Sequence, residues 1–143
     1  MKLLCKAGAT KKPGVMIPIP QYPLYSASLA EYDMDQVGYY LDEAKGWSLD
    51  VAELERAYNA AKDKSDIKAI VVINPGNPTG QVQNRDNIEA VIKFAAEKKL
   101  FVFADEVIST DEQIRGQNIF SIYARFTSTM FMPRDLSSTA SRR

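Results

Sequence analysis

The heptad NPGNPTG, residues 74–80, lies between an apolar run at residues 69–73 and a predicted helix that starts near Asn84. Its prolines fix φ and remove backbone donors, and its glycines permit positive φ. Such a segment cannot continue a strand or begin a helix, although plain connecting loops use the same residue types. We therefore predict a shaped turn at the end of a strand, with its asparagine and threonine side chains presented from it.

The chain around this heptad is predicted to form a strand, a crossover helix and a second strand. Residues 67–73 and 100–104 are continuous apolar runs, which are typical of strands that are buried on both faces. Residues 84–99 between them have the spacing of a helix, with an apolar face formed by Ile88, Val91, Ile92, Ala95 and Ala96. Two strands that are connected by such a helix form a parallel pair. We predict an α/β fold with a mainly parallel sheet and crossover helices.

Further elements are predicted before this unit. Residues 15–20 form an extended run whose prolines favour a short strand or a strand end, and residues 25–32 form a short helix. Residues 36–41 form a second strand. Asp50 is a good N-cap for the next helix, and Glu53 three residues later suggests a capping box.

Composition excludes several classes of function. The 143 residues carry 18 basic and 18 acidic side chains, so no basic patch for nucleic acid or an anionic membrane is indicated. The absence of histidine excludes Ser–His and Cys–His catalysis, and a single cysteine leaves no cysteine-based zinc site. We predict no metal site and no transmembrane helix. Any chemistry must use Asp, Glu, Lys, Tyr or a cofactor.

Two polar residues are expected at the carboxyl edge of the predicted sheet. Asn77 follows the strand at 69–73, and Asp105 directly follows the strand at 100–104. Ligands of open parallel sheets bind beyond these strand ends. Asp105 is expected to be partly desolvated and to need a cationic partner, which a protonated ligand nitrogen could supply. An N-cap role or an ion pair with Lys or Arg is the structural alternative.

Aromatic side chains near the end of the first strand offer a further contact. Tyr22 follows a proline-fixed strand end and could stack on a flat ligand ring, or it could be an ordinary core or surface tyrosine. We assign Tyr25 to the core or its rim.

Four segments of the chain carry a specific resemblance. They are residues 14–25 (GVMIPIPQYPLY), 39–43 (YYLDE), 73–82 (INPGNPTGQV) and 103–107 (FADEV). Together they closely resemble the pyridoxal-phosphate-dependent aminotransferases of class I/II and fold type I, in particular the alanine aminotransferase group. The resemblance covers about residues 2–107. It implies that residues 1–107 are part of the family's large domain.

The resemblance also implies roles for individual residues. Asp105 would pair with the protonated pyridine nitrogen of pyridoxal 5'-phosphate. Asn77 would bond the phenolic oxygen of the ring and help to bind the substrate carboxylate, and Tyr22 would stack on the ring. The implied reaction transfers an amino group between L-alanine and 2-oxoglutarate, giving pyruvate and L-glutamate. The implied partners are thus an amino acid and a 2-oxo acid, in a homodimer of the cytoplasm or the mitochondrial matrix.

The chain departs from the family pattern after Asp105. It has Ile108 where the family has a tyrosine, and it has no lysine after Lys99. The Schiff-base lysine is therefore absent, and no catalytic residue is predicted. Residues 108–143 show no resemblance and are predicted to be a poorly ordered tail. We expect a truncated chain that is inactive alone; the alternatives are another class I/II enzyme, such as an aromatic aminotransferase or C–S lyase, or a non-enzymatic truncated product.

Overall fold

The computed structural model describes Leu4 and residues 9–106, and these residues form one four-stranded sheet with three α-helices. The strands are β1 (Pro13–Ile19), β2 (Asp35–Tyr40), β3 (Asp66–Asn74) and β4 (Phe101–Glu106), and the helices are α1 (Leu24–Glu31), α2 (Val51–Ala61) and α3 (Arg85–Lys98), with a 3-10 turn at Glu43–Lys45. The strand order is β2-β1-β3-β4, and all neighbouring strands are parallel. The predicted α/β fold with a parallel sheet is confirmed. The predicted tail, residues 108–143, lies outside the described residues.

Strand β3 is buried on both faces because helices cover both sides of the sheet. Val71 belongs to a core cluster that contains Leu29 of α1. The adjacent Ile70 belongs to a second cluster, which contains Leu54 of α2 and Ile92 of α3. Burying a side chain of this size contributes about 1.5–3 kcal/mol. The prediction made from the non-alternating apolar run is confirmed for this strand.

Strand β4 is much more exposed than its sequence predicted. It pairs with β3 on one side and is the edge strand of the described sheet. Phe101 is 59% exposed, and Ala104 and Asp105 are also exposed. The prediction that this second apolar strand is buried is therefore wrong. An apolar run shows that a strand can be buried, but its place in the sheet decides how much of it is covered.

Strand β1 occupies an interior position, although its prolines favoured a short strand or a strand end. It pairs with β2 as far as Ile19, but its ladder with β3 ends at Met16. Pro18, which has no N–H to donate, thus lies beyond the β3 ladder. The next connection begins at the Ile19–Pro20 peptide bond, which is cis.

Helix α2 begins at the predicted N-cap but without the predicted capping box. The Asp50 side chain accepts a hydrogen bond from the backbone N–H of Ala52 at 2.9 Å. Glu53 instead accepts from the backbone N–H of Tyr40 at 3.0 Å. Its other contact is Arg56, whose guanidinium donates at 2.6 Å and lowers the pKa of Glu53. Glu53 therefore joins α2 to β2 rather than closing the first turn of the helix.

Helix α3 lies where the spacing predicted it. Its N-cap is Asn84, whose side chain accepts from the backbone N–H of Asn87 at 2.8 Å. The buried face includes Phe94, whereas Ala96, which the spacing predicts on that face, is exposed. The large Phe94 ring packs edge-on against Tyr58 of α2, with the ring centroids 6.1 Å apart.

Candidate functional site

The carboxyl ends of β1, β3 and β4 lie at one edge of the sheet because these strands are parallel. In the β3–β4 ladder, Ile73 pairs with Asp105 and Asn74 pairs with Glu106. The heptad loop leaves β3 directly after this pair. Asp105 and the heptad loop therefore lie at the same edge, where open parallel sheets bind their ligands.

The heptad forms the predicted shaped turn, and backbone bonds close it. Gly76 N–H donates to the Gln81 carbonyl at 2.9 Å, and Gly80 N–H donates to the Gly76 carbonyl at 2.7 Å. Gly80 has φ +69°, the left-handed region that favours glycine. Gly76 is not in that region, but a Cβ there would lie 2.2 Å from Thr79 Oγ1. The two glycines thus serve different purposes in the turn.

Most of the polar side chains of the turn are enclosed rather than presented. Asn74 is only 3% exposed, and its Oδ1 accepts from the backbone N–H of Gln83 at 3.0 Å. The Gln83 side chain is also buried; it accepts from Leu49 N–H at 3.3 Å and donates to the Trp47 carbonyl at 3.2 Å. Thr79 Oγ1 is buried and has no hydrogen-bond partner among the described residues. The predicted presentation of Asn74 and Thr79 is wrong, because Asn74 is buried and bonds Gln83 and the Thr79 hydroxyl is buried as well.

Asn77 and Tyr22 are the exposed residues of this part of the edge. Tyr22 N–H donates to the Asn77 carbonyl at 2.9 Å, which joins the segment after β1 to the heptad loop. The Tyr22 side chain is 59% exposed, and Asn77 is exposed as well. Within residues 9–106, the structure gives neither side chain a hydrogen-bond partner. An aromatic ring and a primary amide are therefore available to a ligand at neighbouring positions.

Asp105 is held by a residue that the sequence pattern did not predict at the site. Tyr25, in the first turn of α1, donates its hydroxyl hydrogen bond to Asp105 Oδ2 at 2.9 Å. Asp105 is exposed, so the expected partial desolvation is wrong. No lysine or arginine of the described residues forms an ion pair with it, and it lies within β4 rather than at a helix N-cap.

Tyr25 lies at the rim of the core, as predicted, but its hydroxyl reaches the site. Burial and the nearby Asp105 carboxylate raise the pKa of Tyr25 well above that of a free tyrosine. The phenol is therefore a stable donor at neutral pH. The sequence signal that could have identified Tyr25 is its position three residues after Tyr22, at the start of a helix that begins at the carboxyl edge.

These side chains can bind a flat, positively charged ring through three kinds of contact. A carboxylate with one oxygen engaged by a phenol can accept an N–H from a cation. An amide can bond a ring oxygen, and an exposed tyrosine ring can stack on a flat molecule. The described residues contain no cluster of metal-ligating side chains, and none of their helices is long and apolar enough to span a membrane. The arrangement fits a flat cationic ring with an oxygen substituent.

Comparison with known proteins identifies the family. The aminotransferase class I and II family matches residues 2–109, well over half of the chain. The chain belongs to this family. Alanine aminotransferase 1 of Bos taurus is 61% identical over 107 residues, which are 75% of this chain and 22% of that protein. Alanine aminotransferase 1 of Homo sapiens is 55% identical over 121 residues, or 85% of this chain and 24% of that protein.

A solved aminotransferase structure has the same fold. Alanine aminotransferase from Pyrococcus furiosus superposes with a TM-score of 0.58 at 29% identity, over 66% of this chain and 23% of that one. The resemblance that the four sequence segments indicated is thus confirmed. This aminotransferase chain spans about a quarter of the length of the relatives it matches. The boundary predicted at residue 107 stays a prediction.

Proposed function

We propose that this chain is part of a pyridoxal-phosphate-dependent alanine aminotransferase and carries the ring-binding part of its cofactor site. The observation that supports this most is the placement of Tyr22, Asn77 and Asp105 at one sheet edge of a class I/II aminotransferase chain. The high identity to alanine aminotransferases favours L-alanine and 2-oxoglutarate as the substrates of the complete enzyme over aromatic amino acids or the substrates of C–S lyases.

Each of the three residues has a defined task in this proposal. Asp105 accepts the hydrogen bond of the protonated ring nitrogen and keeps that proton in place. Asn77 donates to the ring oxygen and helps to hold the substrate carboxylate, while Tyr22 covers one face of the ring. When bound, pyridoxal phosphate supplies the electron sink that amino-group transfer requires.

The cofactor site can be tested by binding of pyridoxamine 5'-phosphate, which has the same ring but no reactive aldehyde. Asp105→Ala should weaken binding about ten- to a hundredfold, because a hydrogen bond to a charged group is lost. Asp63→Ala is the matched control, since Asp63 is exposed in the turn that precedes β3, at the opposite edge of the sheet. Equal affinities of the two variants would contradict the proposal.

We expect the chain alone to lack transaminase activity because it has no lysine after Lys99. Lys98 lies on α3 and pairs with Glu55 of α2 at 2.8 Å, in the helix layer opposite α1. Treatment with pyridoxal phosphate and then borohydride should give no stable adduct at a single lysine, and alanine should not be consumed. A unique pyridoxyl-lysine together with turnover of alanine would contradict this part of the proposal.

A non-enzymatic product that associates with a partner chain is the second candidate. The exposed edge of β4, with Phe101 at 59% exposure, favours it, because uncovered edge strands pair readily with other chains. Aggregation or a non-cooperative melt of the purified chain would support this candidate. A soluble monomer that melts cooperatively would contradict it.

The proposal for the complete enzyme includes its assembly and location. The family resemblance implies a homodimer that works in the cytoplasm or the mitochondrial matrix. A transcript that continues the family pattern beyond Asp105, with a downstream lysine, would supply the product in which both can be measured.

A further inference from the structure

Tyr25 and Asp105 are 80 positions apart in sequence, yet their side chains meet at the carboxyl edge. The Tyr25 ring packs against the core cluster on the α1 side, which includes Val71 and the partly buried Phe103. Its hydroxyl extends past this cluster to Asp105 Oδ2 at 2.9 Å. The partly buried ring is thus anchored against the core while the hydroxyl reaches an exposed carboxylate.

This contact makes the two oxygens of Asp105 different. Oδ2 accepts the Tyr25 hydrogen bond, and among the described residues Tyr25 is the hydrogen-bond partner that Asp105 has. Within residues 9–106, Oδ1 has no hydrogen-bond partner and is available to a ligand. A carboxylate on an exposed edge strand would otherwise rotate about its terminal torsion, which is broad and poorly restricted.

The segment that leads into α1 connects this contact to the rest of the site. Tyr22 lies three residues before Tyr25, and its backbone N–H donates to the Asn77 carbonyl at 2.9 Å. Residues 22–25, which lead into and begin α1, therefore bond both the heptad loop and β4. The ladder with β3 fixes the Asp105 backbone, and the Tyr25 bond adds a contact to its side chain.

We propose that Tyr25 is the positioning residue of Asp105, holding Oδ2 so that Oδ1 faces the cationic N–H of a flat ring. The identity of that ring as the pyridine of the cofactor rests on the proposed function. Tyr25 itself does not contact the ring in this proposal. It acts through the orientation of the Asp105 carboxylate.

The contact itself can be tested without a ligand. In chain labelled with ¹³C at aspartate carboxyls, the Asp105 signal is identified by its loss in Asp105→Ala. Tyr25→Phe should shift this signal at neutral pH, whereas Tyr32→Phe, the same change at the C-cap of α1, should not. Circular dichroism verifies that both variants are folded. An unmoved Asp105 signal in folded Tyr25→Phe would overturn the proposal.

The role toward the ring is tested by a double-mutant cycle with pyridoxamine 5'-phosphate. Tyr25→Phe should weaken binding about three- to tenfold, the range for loss of one ordinary hydrogen bond, and Tyr32→Phe should not. In the Asp105→Ala background, Tyr25→Phe should cause no further loss, because the residue through which it acts is gone. A merely structural role would reduce the affinity by the same factor in both backgrounds, and that result would overturn the proposal.

The two proposals fail in different ways. No binding by the unchanged chain would contradict the proposed cofactor site and with it the role of Tyr25 toward a ring. Intact binding that depends on Asp105 but not on Tyr25 would overturn the positioning role alone.

Discussion

Strands β3 and β4 are hydrogen-bonded neighbours with similar apolar sequences, but their surroundings differ. Ile70 of β3 is fully buried between helices, whereas Phe101 of β4 is 59% exposed at the sheet edge. The contrast shows that apolar composition makes a strand suitable for burial, and that the position of the strand in the sheet decides whether it is buried. In this chain, stability depends on the inner strand, and the carboxylate available for chemistry lies on the outer one.

The two halves of the candidate site repeat this contrast. The heptad loop is stabilised by its own backbone bonds and by the buried Asn74 and Gln83 side chains. Asp105 is exposed and receives its hydrogen bond from Tyr25. The loop is closed by local bonds, whereas the Asp105 side chain is bonded by a residue that is distant in sequence.

The largest expected effect is the difference in the free energy of unfolding between Ile70→Ala and Phe101→Ala. Ile70→Ala should lower the free energy of unfolding by about 2–5 kcal/mol, because it leaves a cavity in the core. Phe101→Ala removes a larger side chain but should cost less than about 1 kcal/mol, because the ring is mostly exposed already. Urea unfolding followed by circular dichroism measures both. Equal losses would mean that β4 is covered in solution and would remove the contrast.

A smaller effect is expected from Gln83→Met, which keeps the size of the side chain but removes its hydrogen bonds. The buried Leu49 N–H and the partly buried Trp47 carbonyl would lose their partner, so the free energy of unfolding should fall by roughly 1–3 kcal/mol. Gln36→Met, at an exposed position of β2, is the matched control. If both variants unfold at the same urea concentration as the unchanged chain, the hydrogen bonds of the Gln83 side chain do not stabilise the protein.

Tyr39→Phe tests how much the buried Tyr39 hydroxyl stabilises the fold and how this stabilisation depends on pH. Tyr39 is buried, and its hydroxyl donates to the Val71 carbonyl at 2.7 Å, so the change should cost about 1 kcal/mol at neutral pH. Burial raises the pKa of Tyr39 above the unfolded value of about 10. Its contribution is therefore complete below pH 10 and is lost as the pH rises further.

The measurement is the urea midpoint of the unchanged chain and of Tyr39→Phe between neutral pH and pH 11. The unchanged chain should lose more stability over this range than Tyr39→Phe. Tyr40→Phe, which changes a 60% exposed neighbour, should behave like the unchanged chain. Parallel pH profiles for all three proteins would show that Tyr39 ionises as easily in the folded state as in the unfolded one.

The smallest effect on stability is expected at the site itself. Asp105→Asn should change the free energy of unfolding by no more than about 0.5 kcal/mol, because the residue is exposed and the amide can still accept from Tyr25. The same change should weaken binding of pyridoxamine 5'-phosphate. A stability loss above 1 kcal/mol would indicate that Asp105 has a structural role.

Local patterns in the sequence predicted most of the fold. Helical spacing located α3, the Asp50 cap located α2, and the run at residues 67–73 identified a strand buried on both faces. The turn residues of the heptad predicted a loop at a strand end. These predictions succeeded because each depends on residues within a few positions of one another.

The predictions that failed depend on residues distant in sequence. Glu53 bonds the end of β2 instead of its own helix, and Asn74 turns inward because Gln83 offers it a backbone donor. The Tyr25 contact with Asp105 requires α1 to pack on the face of the sheet where the Asp105 side chain lies. No local pattern encodes these partners.

The sequence by itself determined the elements of this chain, its family, and the candidate residues Tyr22, Asn77 and Asp105. Periodicity, capping and turn chemistry act over short distances and are visible in one dimension. Only the tertiary structure decided that β4 is exposed and that Tyr25 holds Asp105. The physical reason is that burial and side-chain pairing depend on which strands and helices become neighbours, and strand order is a property of the folded sheet.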